Sequence, residues 1–168
     1  GPGVKTGMPV LYDSPKDVGT DRIVNGVAAF EKYHDCCVVI DFGTATTFDL
    51  ISKKGEYLGG AIAPGLRIAA DSLFHSTSML RSVELTPPPA AIGKNTVNAM
   101  QSGLVLGFTD LVRGMVARFQ LELGGNAKVI ATGGLAAIIA EQVDIFDAIN
   151  PDLTLMGLRI VHELNSGD

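Results

Sequence analysis

The chain has 168 residues and a formal net charge of −5, with 46% hydrophobic and 18% charged residues. This length and apolar share suffice for one domain with a substantial core and fall short of two complete ones. The acidic balance argues against a nucleic-acid partner, which calls for a basic face, and apolar runs such as residues 136–140 are far too short to span a bilayer.

Residues 1–22 are rich in Gly, Pro, Lys and Asp and lack periodicity, so they read as loop. They show no basic, apolar, small-residue leader, which makes the cytoplasm the expected compartment. A helix is predicted from about Asp21-Arg22 to Tyr33-His34, because Ile23, Val24, Val27, Ala28 and Phe30 recur at helical spacing. Cys36 and Cys37 are adjacent and could bridge only through a strained ring; they read as free, core-facing thiols, with a redox role as the second reading. Residues 38–42 predict a strand buried on both faces, and 46–52 a second strand with β-branched and aromatic alternation. Lys53-Lys54-Gly55 is the turn to a third strand at 57–62, ended by Pro64-Gly65. A helix is expected from Leu66 to about Leu80, then an irregular passage through Pro87-Pro88-Pro89.

Asn95 caps the longest predicted helix, with Val97, Met100, Leu104, Phe108, Leu111, Val112, Met115 and Phe119 on one apolar stripe, and Gly124-Gly125 stops it. A strand at 128–132, a helix at 135–141 and a strand at 144–148 follow. A final helix is capped by Asn150, with Pro151 at its first position. Antiparallel hairpins in front and strand–helix crossovers behind predict an α/β fold, a mixed sheet with helices on its faces.

The chemistry concentrates in Asp41-Phe42-Gly43-Thr44-Ala45-Thr46-Thr47. A buried strand delivers a carboxylate, then a glycine that lets backbone N–H groups converge on an anion, then three hydroxyl donors. Asp41 can hold a cation directly or through water. Two unusual segments flank this loop. Gly19-Thr20-Asp21-Arg22 sets an acid beside a permanent cation, either as a candidate base with a carboxylate-binding fork or as a surface pair opposing the helix dipole. Gly59-Gly60-Ala61-Ile62-Ala63-Pro64-Gly65 offers flat backbone for a planar ring, or an ordinary strand end. Thr132-Gly133-Gly134 is equally a nucleotide contact or a tight turn. Asp-Phe-Gly also occurs in protein kinases, but no His-Arg-Asp loop or strand lysine accompanies it. His34, His75 and His162 are scattered and receive no role.

In their order these segments, with Lys5-Thr6-Gly7 and Gly93-Lys94-Asn95-Thr96, resemble the type III pantothenate kinases over nearly the whole chain. The resemblance implies a ribonuclease H-like lobe of the actin-like and sugar-kinase-like ATPase superfamily. It divides the chain into a substrate-motif loop with its connecting helix (1–35) and a carboxy-terminal lobe (36–168). It implies ATP-dependent phosphorylation of the primary hydroxyl of pantothenate, the first step toward coenzyme A, with Asp21 as catalytic base. Tyr12, Gly19, Thr20, Arg22 and Thr96 would bind substrate. Gly43, Thr44, Thr46, Gly59, Gly60, Pro64, Gly65 and Gly133 would line the ATP site. The implied cofactors are Mg2+ and a monovalent cation, K+ or NH4+, at Asp41. Thr96 would reach pantothenate across a homodimer; Gly103 and Gly107, one turn apart, would let a second helix approach there or pack within the monomer.

Members of that family open with another lobe and an Asp-x-Gly-Asn-Thr-like phosphate loop, which this sequence does not contain. The chain therefore reads as the carboxy-terminal part of such a kinase: a truncated form, a split product, or a degenerate relative. The alternatives to pantothenate kinase are a kinase for another small alcohol and a non-catalytic regulatory fragment like the family's transcriptional accessory factors.

Overall fold

The computed structural model describes residues 4–76 and 82–166. Five strands form one mixed sheet in the order β3-β2-β1-β4-β5. Strands β1 (Cys37–Phe42), β2 (Ala45–Ile51) and β3 (Tyr57–Pro64) run antiparallel to their neighbours, while β4 (Lys128–Thr132) and β5 (Ala148–Ile149) continue parallel from β1. The order follows from connection length. Short turns join the first three strands as hairpins, whereas reaching a parallel neighbour needs a long helical crossover.

Alternation along β1 assigns the two faces. Val38, Ile40 and Phe42 point into a core with Phe48, Leu50, Phe108, Val112 and Phe119, beneath α2 (Leu66–His75) and α4 (Gly107–Glu122). Cys37 and Val39 point the opposite way, into a second core with Val24, Ala28, Ile51 and Leu153, beneath α1 (Thr20–Tyr33) and α6 (Leu153–Ser166). β1 is therefore covered on both sides, as its unbroken apolar run requires. Helices α1 and α6 approach closely at Gly157, where a Cβ would lie 2.1 Å from the Val24 carbonyl oxygen. A short helix α5 (Ala136–Ala140) connects β4 to β5.

Three expectations differ from the structure. The longest helix is not continuous: α3 (Thr96–Gln101) passes through a π-helical turn at Ser102–Leu106 before α4. Side chains tie down the entry to this turn, since Gln101 Nε2 donates to the Glu84 carbonyl and to Thr86 Oγ1, and Ser102 Oγ donates to the Ala91 carbonyl. The buried stripe runs through Met100, Leu104, Phe108, Val112, Val116 and Phe119, while Leu111 beyond the turn and Val97 ahead of it stand exposed. The final strand is two residues rather than five. Upstream of it the Asp147 carboxylate accepts from the Val129 N–H, replacing a ladder bond with a side chain, while Ile145 and Phe146 pack on the core. Helix α6 starts at Leu153, because Asn150 Oδ1 accepts from the Asp152 N–H in a turn before the helix. The expected extension of α2 over 77–80 lies outside the described residues.

Candidate active site

The carboxyl end of β1 and the amino end of α1 meet over the α1–α6 face of the sheet. Asp21 lies exposed in the first turn of α1, and its Oδ1 folds back over Gly19, where a Cβ would come within 2.7 Å of it. The bare glycine at that cap leaves room for the carboxylate in this rotamer, with Thr20 exposed beside it. One turn on, Asn25 is buried and spends both ends of its amide. Nδ2 donates to Asp41 Oδ2 at 3.1 Å, and Oδ1 accepts from the Thr154 hydroxyl at 2.7 Å. Asp41 is thereby anchored to the helix that carries Asp21. Burial raises the Asp41 carboxyl above its ordinary range; the Asn25 bond opposes this and the Asp21 charge adds to it. No ion pair neutralises Asp41 among the described residues.

Arg22 points inward. Its Nε donates to Asp49 Oδ1 at 2.7 Å, its Nη2 donates to the Phe48 carbonyl at 3.3 Å, and its guanidinium carbon lies 5.9 Å from the centre of the Tyr57 ring. Asp49 is fully buried and also accepts from the Tyr57 hydroxyl at 2.8 Å and from Thr47 Oγ1 at 3.2 Å. Burial raises the Asp49 carboxyl against the pull of Arg22 and its hydrogen bonds, and it raises the Tyr57 phenol as well. Nη1 makes no hydrogen bond among the described residues, so a fixed guanidinium edge is left for a ligand.

Tyr12, partly exposed, stands over Gly59, where a Cβ would lie 3.5 Å from its ring, and 6.3 Å from the Tyr57 ring. Gly60 admits no side chain, since a Cβ would fall 1.7 Å from the Phe48 carbonyl oxygen and 3.3 Å from Arg22 Nη2. Gly59 and Gly60 therefore sit with Tyr12 and Arg22. Pro64 and Gly65 sit at the far end of β3, about 17 Å along an extended strand.

Gly65 instead meets the loop after β1: its N–H donates to the Thr44 carbonyl at 3.1 Å, and a Cβ would lie 2.1 Å from that oxygen. Gly133, at φ +92°, lies against Asp41 and the Phe42 backbone. These glycines let three chain segments converge on Asp41, Gly43 and Thr44. Gly43 itself is not in the left-handed region, and a Cβ there would meet only ordinary contacts at 3.5 Å. A cleft of about 380 Å³ opens at this point, lined by Gly43, Thr44, Arg67, Ile68, Gly134 and Leu135. Thr46 lies inside the fold instead: it is 1% exposed and its hydroxyl has no partner among the described residues.

Thr96 is set apart from this cluster. It begins α3 behind Asn95, whose side chain accepts from the Asn98 N–H at 2.9 Å, so the capping role is observed. It borders a mostly apolar cleft of about 600 Å³ with Ala69, Leu73, Met100, Gly103 and Leu104.

Sequence reasoning missed Asp49, Asn25, Tyr57 and Thr154. An acid between Phe48 and Leu50 in an apolar strand was a readable signal, and so was Asn25 one turn after Asp21 on a buried face. Nothing in the sequence marked Tyr57 or Thr154. Among the described residues no group of three or more His, Cys, Asp or Glu could hold a metal, and no helix is long and apolar enough to cross a membrane.

Residues 1–118 match the sequence profile of a family described as "Type III pantothenate kinase". A protein of that name from Moorella thermoacetica is 58% identical over 166 residues, covering 99% of this chain and 65% of its own length. One from Geobacter sp. strain M21 is 55% identical, covering 98% of this chain and 65% of its own length. The chain thus spans about 65% of the length of these relatives. A crystal structure from Campylobacter jejuni, titled for the Baf family of transcriptional activators, superposes with a TM-score of 0.68 at 23% identity. The match covers 96% of this chain and 70% of that one, and it supports the fold alone.

Proposed function

The chain belongs to the type III pantothenate kinase family, and from that membership we propose that it carries the acceptor site and one phosphate loop of a kinase. The reaction is transfer of the γ-phosphoryl group of ATP to the primary hydroxyl of pantothenate. The mixed sheet with helices on its faces is the α/β fold of the actin-like ATPase superfamily. The observation that carries the proposal is the convergence of Asp21 and Asp41, tied through Asn25, beside the cleft at Gly43 and Thr44.

In this reading the pantothenate hydroxyl faces Asp21. Its oxygen forms a bond to the γ-phosphorus, the bond from that phosphorus to the bridging oxygen breaks, and ADP leaves with that electron pair. The hydroxyl proton passes to the Asp21 carboxylate, which is exposed at a helix start and free to reach a ligand. Arg22, held rigid by Asp49, presents its free edge to the pantothenate carboxylate, and the Tyr12 ring packs on the acceptor's apolar part. Thr44 donates to a phosphate oxygen, and Gly65 and Gly133 let the backbone come close enough to do the same.

The half-buried, un-neutralised Asp41 fits a cation shared with substrate phosphates, and it does not fit an all-protein metal centre. Bound there, K+ or NH4+ would offset phosphate charge. Thr46 is too deeply placed to share this work without movement. Thr96 would act on a partner's substrate in a homodimer. In support, Gly103, Gly107 and Gly114 line one exposed helix face with no atom within 4 Å of a built Cβ. The proposed compartment is the cytoplasm.

ADP release measured over a panel of small alcohols tests the proposal. Release that depends on pantothenate is expected. Equal release with unrelated alcohols, or with water alone, would contradict the assigned acceptor.

A further inference from the structure

The cleft at Gly43 and Thr44 contains a charge that the reading above leaves unexplained. Arg67 lines it, exposed, and makes no ion pair or hydrogen bond among the described residues. It is the second residue of α2, close to the helix's positive end, where the macrodipole penalises a cation and favours an acid. The N-cap of that helix is Gly65, which has no side chain to cap the free N–H groups. A cation in an unfavourable place, unpaired, above uncapped amides, is an arrangement that an anion would relieve.

The other charges near the site sharpen the point. Arg22 is already neutralised by Asp49. Asp21 and Asp41 are both acidic, Asp71 lies one turn along α2 in the same cleft, and the whole chain carries −5. A nucleotide polyphosphate arriving at this cleft would meet neutral donors from Thr44 and the backbone, and Arg67 is the single cationic side chain among the cleft's lining residues.

The geometry points to Arg67 as a phosphate-binding residue for the nucleotide, clamping a phosphate oxygen between its guanidinium, the Thr44 hydroxyl and the start of α2. The inference rests on the proposed nucleotide site and adds to it a residue and the charge that attracts the ligand. Asp71 and Ile68, on the same turns of α2, are left facing the nucleoside.

Equilibrium binding of ADP and of adenosine to the full 168-residue chain separates the possibilities, with wild type, Arg67→Gln and Arg67→Lys compared at two salt concentrations. Arg67→Gln is expected to weaken ADP binding by about ten- to a hundredfold, to flatten its salt dependence and to leave adenosine unchanged. Arg67→Lys should retain part of the affinity. The melting temperature of Arg67→Gln should equal or slightly exceed that of wild type, because the side chain is exposed and unpaired and its loss removes a cation from the positive end of the helix. Wild-type affinity for ADP in Arg67→Gln overturns this inference and leaves the nucleotide site standing. A parallel loss of ADP and adenosine affinity overturns it too, because Arg67 would then not be reading phosphate. A folded wild-type chain that binds no ADP overturns both.

Discussion

Arg22 and Asp41 are two charges of the same cluster with opposite circumstances. Arg22 is buried and paired with Asp49, with a second bond from its guanidinium to the Phe48 carbonyl, and Asp49 accepts from two further donors, the Tyr57 and Thr47 hydroxyls. Asp41 is half-buried with one hydrogen bond and an acidic neighbour, so its ionised form strains the fold. The folded chain holds the Asp41 proton more tightly than the unfolded chain does. That cost is therefore absent below the ordinary value of 3.8 and is fully present above the raised folded value. Asp41→Asn, which keeps an oxygen for Asn25, should melt above wild type at pH 7. The gain should disappear as pH falls toward 4, and a variant that melts lower at pH 7 would show that Asp41 is already neutralised. Function that costs stability is the expected pattern at a ligand site. Asp41 was legible from the sequence as an acid ending an apolar run. The same signal stood at Asp49, but strand alternation alone does not tell whether that face is covered; the packing of α1 shows that it is.

At the scale of elements, β3 explains why a single glycine-rich motif serves two places. Gly59 and Gly60 accommodate Tyr12 and Arg22, while Gly65 accommodates the loop after β1. A linear reading groups these glycines because they are near in sequence; an extended strand carries them apart. Substituting them should show the division. Gly60→Ala must push a Cβ onto the Phe48 carbonyl and is expected to cost about 1–3 kcal/mol or prevent folding. Gly43→Ala meets ordinary contacts and should cost less than about 1 kcal/mol, so a loss of nucleotide affinity there would report ligand approach rather than damage. Denaturant midpoints check both; equal destabilisation would contradict the assignment. Hairpins, the α1 boundaries and the order of elements were readable because period and turn residues agree locally. The π-helical turn at Ser102–Leu106 was not, because it depends on Gln101 and Ser102 reaching carbonyls 17 and 11 residues away in sequence, respectively. The final strand was expected, but its shortening to two residues was not readable for a similar reason, with Asp147 standing in for backbone pairing.

For the whole molecule, the sheet's faces divide the work. The α1–α6 side carries Asp21, Arg22, Asp41 and Asp49, and the α2 side carries the cleft at Thr44 and Arg67. The end of β1, between Asp41 and Gly43, joins the two. An acceptor and a phosphate donor would thus approach one strand end from either side, at the carboxyl ends of the parallel strands β1 and β4, where ligands of open α/β sheets collect. Thr96 and the open glycine face of the π-helical turn and α4 lie elsewhere, which accords with service to a second copy. The central claim is that Asp21 takes the acceptor's proton. The most direct measurement is the rate of phosphoryl transfer from ATP to pantothenate by the wild-type chain and by Asp21→Asn, with pantothenate binding measured on both. Wild type is expected to yield phosphorylated pantothenate. The variant should be slower by about 10²–10⁴-fold, at similar affinity and melting temperature. Equal rates, or no product from a folded wild-type chain, would contradict that claim.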